Sequence, residues 1–118
     1  MNTNKTLTGI FKLDHNIKIY IPSTVSVNQT ADNTGLINET LKIFSGYFGG
    51  STSYEAKGAW LSSVKGLVVE NITIVESYAT KEQVNENLES VLKHALKIKH
   101  DLKQEAVSLE YDNELYLV

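Results

Sequence analysis

Three carboxylates, Glu55, Glu70 and Glu76, fall within one run of alternating and β-branched residues between Ser53 and Tyr78. Glu70 and Glu76 share a phase with Ile72 and Ile74, so on a strand all four project from one side. Were that side buried, the carboxyls would hold their protons more tightly and suit acid/base work. Were it exposed, they would be solvated or paired with Lys57. Tyr54 and Trp60 share a phase on the preceding strand, where their rings either fill a core or stack on a flat ligand.

A second candidate region is residues 23–34, reading STVSVNQTADNT. It is longer than most connections in compact domains, which run about 4–6 residues. It is rich in hydroxyls and amides and leads into a helix N-terminus, where unpaired amides favour anions. It reads as a surface crossover or as a ligand or partner loop. Asp32 works against the anion reading, since it would occupy or repel at such a site. Ser23, Thr24 and Asn28 from this loop, with Tyr54, Trp60 and Glu70 from the strands, are the candidate ligand- or partner-binding residues.

Other chemistries find less support. His94 and His100 are six positions apart and face different sides of a helix, and there is no HExxH pattern. With His15 they read as surface or boundary histidines, and no metal is expected. Ser51, Ser53, Ser62 and Ser63 lie in or beside turns, none in a GxSxG elbow. Phosphate loops place glycines before a helix; Phe48-Gly49-Gly50-Ser51-Thr52 follows one, so it reads as a helix stop. No catalytic residue is assigned and no cofactor is expected.

Composition narrows the classes further. The 118 residues suit one domain with one core. The absence of cysteine removes disulfides, thiolate metal sites and thiol catalysis. All 11 basic side chains are lysine and the net charge is −3, which argues against a dedicated nucleic-acid binder. Met1 to Thr8 is polar and no run approaches the ~20 apolar residues of a membrane span, so a cytoplasmic protein without a membrane role is expected.

The elements that must position these residues follow from periodicity. Odd positions from Phe11 to Ile21 are mostly apolar and even ones polar, which predicts a half-buried strand ended by Pro22. Asp14-His15-Asn16 also allows a hairpin with a second strand from about Asn16. Ile37, Leu41, Phe44 and Phe48 form one stripe of a helix over 35–47, with Asp32, Asn33 and Thr34 as N-cap candidates. Strands are expected over 53–62 and 67–78. The second is apolar in both phases, so both of its faces should be covered. With only two helices, that cover predicts a homodimer through the sheet. Thr80 to Gln83 fits a capping box before a helix striped by Val84, Leu88, Val91, Ala95, Ile98 and Leu102. Val107 to Val118 reads as a terminal hairpin turning at Asp112-Asn113. The order predicts an α+β, ferredoxin-like βαββαβ domain with an extra C-terminal strand: two helices on one face of an antiparallel sheet, over residues 1–118 with residues 1–9 frayed.

Ile21-Pro22-Ser23-Thr24-Val25, Phe48-Gly49-Gly50-Ser51-Thr52, Gly58-Ala59-Trp60, Val69 to Val75 and Gln104-Glu105-Ala106-Val107 together resemble an uncharacterised family of small bacterial, plasmid and phage proteins. The resemblance implies association with mobile elements, where small domains bind and neutralise host components, counter-defence among their roles. The resulting expectation is a non-enzymatic protein that binds or sequesters a host protein or a small nucleotide-like ligand. The alternative is a small dimeric enzyme using Glu70 or Glu76 as acid/base.

Overall fold

The computed structural model describes residues 4–25, 29–30 and 32–118. After a short 3-10 turn (Lys5–Leu7) come β1 (His15–Pro22), a small ribbon of β2 (Thr24–Val25) and β3 (Gln29–Thr30), and helix α1 (Thr34–Phe48). The long strands β4 (Thr52–Ser62) and β5 (Gly66–Ala79) follow, then α2 (Lys81–Asp101) and the hairpin β6 (Ser108–Tyr111) and β7 (Glu114–Leu117). The main sheet has the antiparallel order β4-β5-β1-β6-β7. Both helices pack on one face of it, as the βαββαβ expectation with an added strand requires. No helix among the described residues is long and apolar enough to cross a membrane.

The first strand starts at His15 and not at Phe11, although the alternation runs back to Phe11. β5, the neighbour on that side, ends at Ala79 opposite His15, so the earlier residues meet no partner strand. The connection over residues 23–34 is not wholly irregular: Thr24 and Val25 pair with Thr30 and Gln29. At the start of α1, Asn33 is the N-cap residue but forms no side-chain cap bond. Its amide donates to the Pro22 carbonyl at 2.7 Å, and Asp32 instead accepts from the Thr34 amide at 3.0 Å. Gly49 ends α1 in the left-handed region at φ 87°, the conformation expected of a helix stop.

Ile17, Ile19 and Ile21 of β1, Val75 of β5 and Leu109 of β6 point into the layer between sheet and helices. Phe44 and Phe48 of α1 and Val84, Val91, Ala95, Ile98 and Leu102 of α2 close it from above. The Phe44 and Phe48 rings meet edge to face at 5.5 Å. α2 opens with the expected capping box. The Gln83 amide donates to Thr80 Oγ1 at 3.1 Å, and the Thr80 amide donates to Gln83 Oε1 at 2.9 Å. Thr80→Ala should lower stability by about 1 kcal/mol, read as a lower urea midpoint with an unchanged m value.

His94 is buried, 6% exposed, which corrects the expectation of a surface or boundary histidine. It sits on the α2 face turned toward α1, one position before Ala95 of the apolar stripe. Thr40 Oγ1 donates to the Leu36 carbonyl at 2.6 Å, so at the 2.7 Å contact with Thr40 it is His94 Nε2 that donates. Glu39 Oε1 lies 3.6 Å from the other ring nitrogen and 2.6 Å from Lys97 Nζ. Burial, outweighing the Glu39 charge, holds the His94 pKa below its usual 6.5. The unfolded chain therefore takes up this proton first as pH falls. His94 contributes full stability above about pH 6.5 and progressively less as pH drops through its folded value. Urea midpoints between pH 7.5 and 5 should decline more steeply in the wild type than in His94→Gln.

Candidate functional site

The strand register divides the sheet into two faces. In β1, β6 and the inner end of β5, residues in phase with Ile17, Ile19 and Ile21 meet the helices. The other phase forms a helix-free face that runs across all five strands. Along it, Lys18 stands between Glu110 of β6 and Glu76 of β5, with Thr52 beyond. The next row sets Tyr20, Ile74 and Tyr54 side by side. After it come Pro22, Ile72 and Ala56, then Glu70 beside Gly58, then Val68 beside Trp60. Neighbouring rows are roughly 6–7 Å apart along the strands, and neighbouring strands about 4.8 Å.

Tyr54, Trp60 and Glu70, three of the residues picked from sequence, thus share this one face. Tyr54 is 39% and Trp60 49% exposed, so neither is a core residue. Lys57 is in the opposite phase and cannot pair with Glu70 or Glu76 across the sheet, contrary to the pairing expected for an exposed face. Glu76 is held by Lys18 Nζ at 3.8 Å and by the Asn16 amide at 3.3 Å. Among the described residues, Glu70 has no hydrogen bond or ion pair.

Sequence reasoning missed Lys18, Tyr20 and Glu110. The Tyr20 hydroxyl donates to Glu110 Oε1 at 2.7 Å, and Lys18 Nζ is 3.5 Å from Glu110 Oε2. That bond, with burial and the Glu110 charge, raises the Tyr20 pKa and keeps the phenol protonated. Burial acts to lower the Lys18 pKa, but Glu110, Tyr54 and Glu76 together outweigh it and the pKa rises. The one available signal was the shared phase of Lys18 and Tyr20 in β1, opposite to the core isoleucines. Their partners lie far away in sequence, and only the register brings them together.

Ser23 and Thr24 lie at the border of the same face. The Ser23 amide donates to the Asn71 carbonyl at 3.1 Å, and the Gln104 amide donates to the Thr24 carbonyl at 2.9 Å. A small cleft of about 70 Å³ opens here between Tyr20, Pro22, Glu70, Ile72, Gln104 and Ser108. A wider, shallower cleft of about 380 Å³ lies at the end of the face where Gly49, Ser51 and Thr52 approach Glu76 and Tyr78. Asn28 lies outside the described residues. Glu70 and Tyr20 therefore line one cleft, Ser23 and Thr24 follow its Pro22 without lining it, Tyr54 is one strand away from Glu70, and Trp60 stands further out.

Beyond Pro22 and Ile72, β4 and β5 run on without β1 as an arm. Trp60, Leu61, Val64, Leu67 and Val69 are exposed on it. At Gly58 a Cβ would come within 2.8 Å of Ile72 Cδ1, so glycine lets Ile72 lie across β4 beside Glu70.

No protein-family model matches the chain, and no curated protein sequence matches it. Two solved structures share its fold. One is a phage SAM lyase in complex with S-methyl-5′-thioadenosine, with a TM-score of 0.63 and 18% identity, covering 92% of this chain and 94% of that one. The other is a phage SAM lyase in the apo state, with a TM-score of 0.62 and 17% identity, covering 88% of this chain and 87% of that one. These likenesses overturn the expectation of a non-enzymatic binding protein, because the proteins that share nearly the whole fold are lyases. The physical reason lies in the register. Carboxylates expected to be solvated or neutralised by Lys57 instead stand with two phenols and Lys18 on one open face.

Proposed function

We propose that this chain is a lyase of S-adenosylmethionine that releases S-methyl-5′-thioadenosine, the alternative enzyme reading given a substrate. The observation that carries it is the near full-length likeness to a lyase holding that thioether. The chemistry of the helix-free face supports it. Adenine is a flat ring, and Tyr54 and Trp60 offer exposed aromatic faces to stack on. The sulfonium is a cation, and Glu70 is an uncompensated carboxylate beside a cleft. Lys18, Glu76 and Glu110 form a braced row that holds the neighbouring Tyr20 through Glu110, and Tyr20 lines the cleft. That both likenesses are to phage proteins supports the mobile-element origin expected from sequence. A soluble phage enzyme acting on this substrate works in the host cytoplasm.

The reaction breaks the bond between sulfur and the four-carbon amino-acid chain. The bonding pair goes to sulfur, which leaves as an uncharged thioether and needs no proton. The carbon chain recovers a pair in one of two ways. Glu70 can remove a proton from the adjacent carbon, forming a C=C bond, or the chain's own carboxylate can close on the carbon as a lactone. Neither route consumes water. Glu70 serves as base in the first and as counter-charge to the cation in the second. Substrate deuterated at the adjacent carbon loses one label in the first route and keeps both in the second.

Trp60 is the only tryptophan and lies on the proposed face. Adding S-methyl-5′-thioadenosine should therefore quench its fluorescence saturably, and Tyr54→Ala should weaken the apparent affinity. A Trp60 signal indifferent to the thioether, with binding absent by calorimetry, removes the proposal.

A further inference from the structure

The proposed reaction leaves one group that lines the Glu70 cleft without a role, the ring of Tyr20. In β1 Tyr20 stands opposite Ile74, and the next row, Pro22 opposite Ile72, separates it from the row of Glu70. Tyr20 and Glu70 thus lie two rows apart, at the two ends of a cleft of about 70 Å³, with the apolar Pro22 and Ile72 between them. That volume holds roughly five to seven water-sized groups. A sulfur and its three carbon substituents fit, while a nucleoside must lie outside, toward Tyr54 and Trp60. The ring of Tyr20 is half-buried, and its hydroxyl is spent on Glu110 Oε1 at 2.7 Å. The phenol stays protonated there and has no proton to give to the cleft. What it presents to the cleft is its aromatic body. Lys18 is held between Glu110 at 3.5 Å and Glu76 at 3.8 Å, so the three side chains together carry one negative charge. Among the described residues no lysine lines the cleft itself.

We propose that Tyr20 is a specificity-determining residue that selects the sulfonium cation over an uncharged thioether, its ring and the Glu70 carboxylate holding the cation from opposite ends of the cleft. The face of an aromatic ring is negative and attracts a cation within about 6 Å of its centre. A thioether of the same shape gains nothing from that field. The bond to Glu110 adds to the effect, since hydrogen-bonded groups polarise one another and shift charge toward the ring. Pro22 and Ile72 offer the cation no polar side chain and limit the water that would screen it. The selection ends with the reaction. Once the carbon–sulfur bond breaks and its pair returns to sulfur, the charge that held the substrate is gone, and the ring does not retain the product. The attraction is strongest before that bond breaks, so its loss raises KM without lowering kcat. The inference rests on the lyase reading and names what its cleft discriminates.

Full-length Tyr20→Leu keeps an apolar side chain at the cleft but no ring, and Tyr20→Phe keeps the ring without the hydroxyl. Tyr20 lies outside the core, so both variants should retain the wild-type circular dichroism spectrum. Tyr20→Leu should raise KM for S-adenosylmethionine roughly 2–30-fold without lowering kcat. Its calorimetric affinity for S-adenosylhomocysteine, the uncharged thioether that lacks the methyl group, should match that of the wild type. Tyr20→Phe should stay much nearer the wild-type KM. An unchanged KM in Tyr20→Leu, or a KM that rises as far in Tyr20→Phe as in Tyr20→Leu, overturns the inference while the lyase activity stands. So does equal weakening of sulfonium and thioether, which would make Tyr20 a packing residue. A wild-type protein that turns over no S-adenosylmethionine removes the lyase reading and this inference with it.

Discussion

Glu70→Gln should slow release of S-methyl-5′-thioadenosine by roughly 10²–10⁴-fold if Glu70 takes the proton in the proposed reaction. The side chains are nearly the same size, and no hydrogen bond or ion pair of Glu70 is lost with the charge among the described residues, so the fold should be unaffected. The substitution therefore isolates charge and basicity. A carboxylate that only holds the cation at an open face contributes less, on the order of 1 kcal/mol or about fivefold, and mainly in KM. The split between kcat and KM thus reads which role Glu70 has. Glu76→Gln should behave differently. Glu76 is tied to Lys18 and Asn16, so its loss disturbs that braced row and not the proposed reacting group.

The largest stability effect should come from Phe44→Ala, at about 3–5 kcal/mol. Phe44 is fully buried and meets the Phe48 ring at 5.5 Å. It belongs to the same core as the isoleucines of β1 and the stripe of α2. Truncation leaves a cavity that two helices and a twisted sheet cannot all close. Such a loss is a large fraction of a small domain's total stability. Urea unfolding monitored by circular dichroism should show the midpoint falling with m unchanged. The helix-free face carries no part of this core, so ring or carboxylate substitutions there should cost far less stability.

How much was legible in the sequence depended on whether a signal was local. α2 was readable because its cap, its stripe and its charges agree within one segment: Thr80 with Gln83, Val84 to Leu102, Glu82 early and Lys99 late. The β4–β5 hairpin was readable from alternation, and with it the common face of Tyr54, Trp60 and Glu70. The start of β1 was misread because Phe11 and Leu13 keep the alternation after partner residues run out. His94 was misjudged because one polar residue beside an apolar stripe does not announce that Thr40, on another helix, will satisfy it. Tyr20, Lys18 and Glu110 were missed for the same reason. Their bonds join strands some 90 positions apart, and only the register fixes who meets whom. The non-enzymatic reading failed at this point, since a site spread over four strands leaves no motif.

The central claim is that the helix-free face turns over a sulfonium nucleoside. The most direct measurement incubates the purified full-length protein with S-adenosylmethionine and follows substrate and thioether together by liquid chromatography and mass spectrometry. The account predicts S-methyl-5′-thioadenosine formed in step with substrate loss, over many turnovers per chain, and reduced in Glu70→Gln at subsaturating substrate. Substrate that persists at the rate of a protein-free control, or a rate identical in wild type and Glu70→Gln, would contradict it.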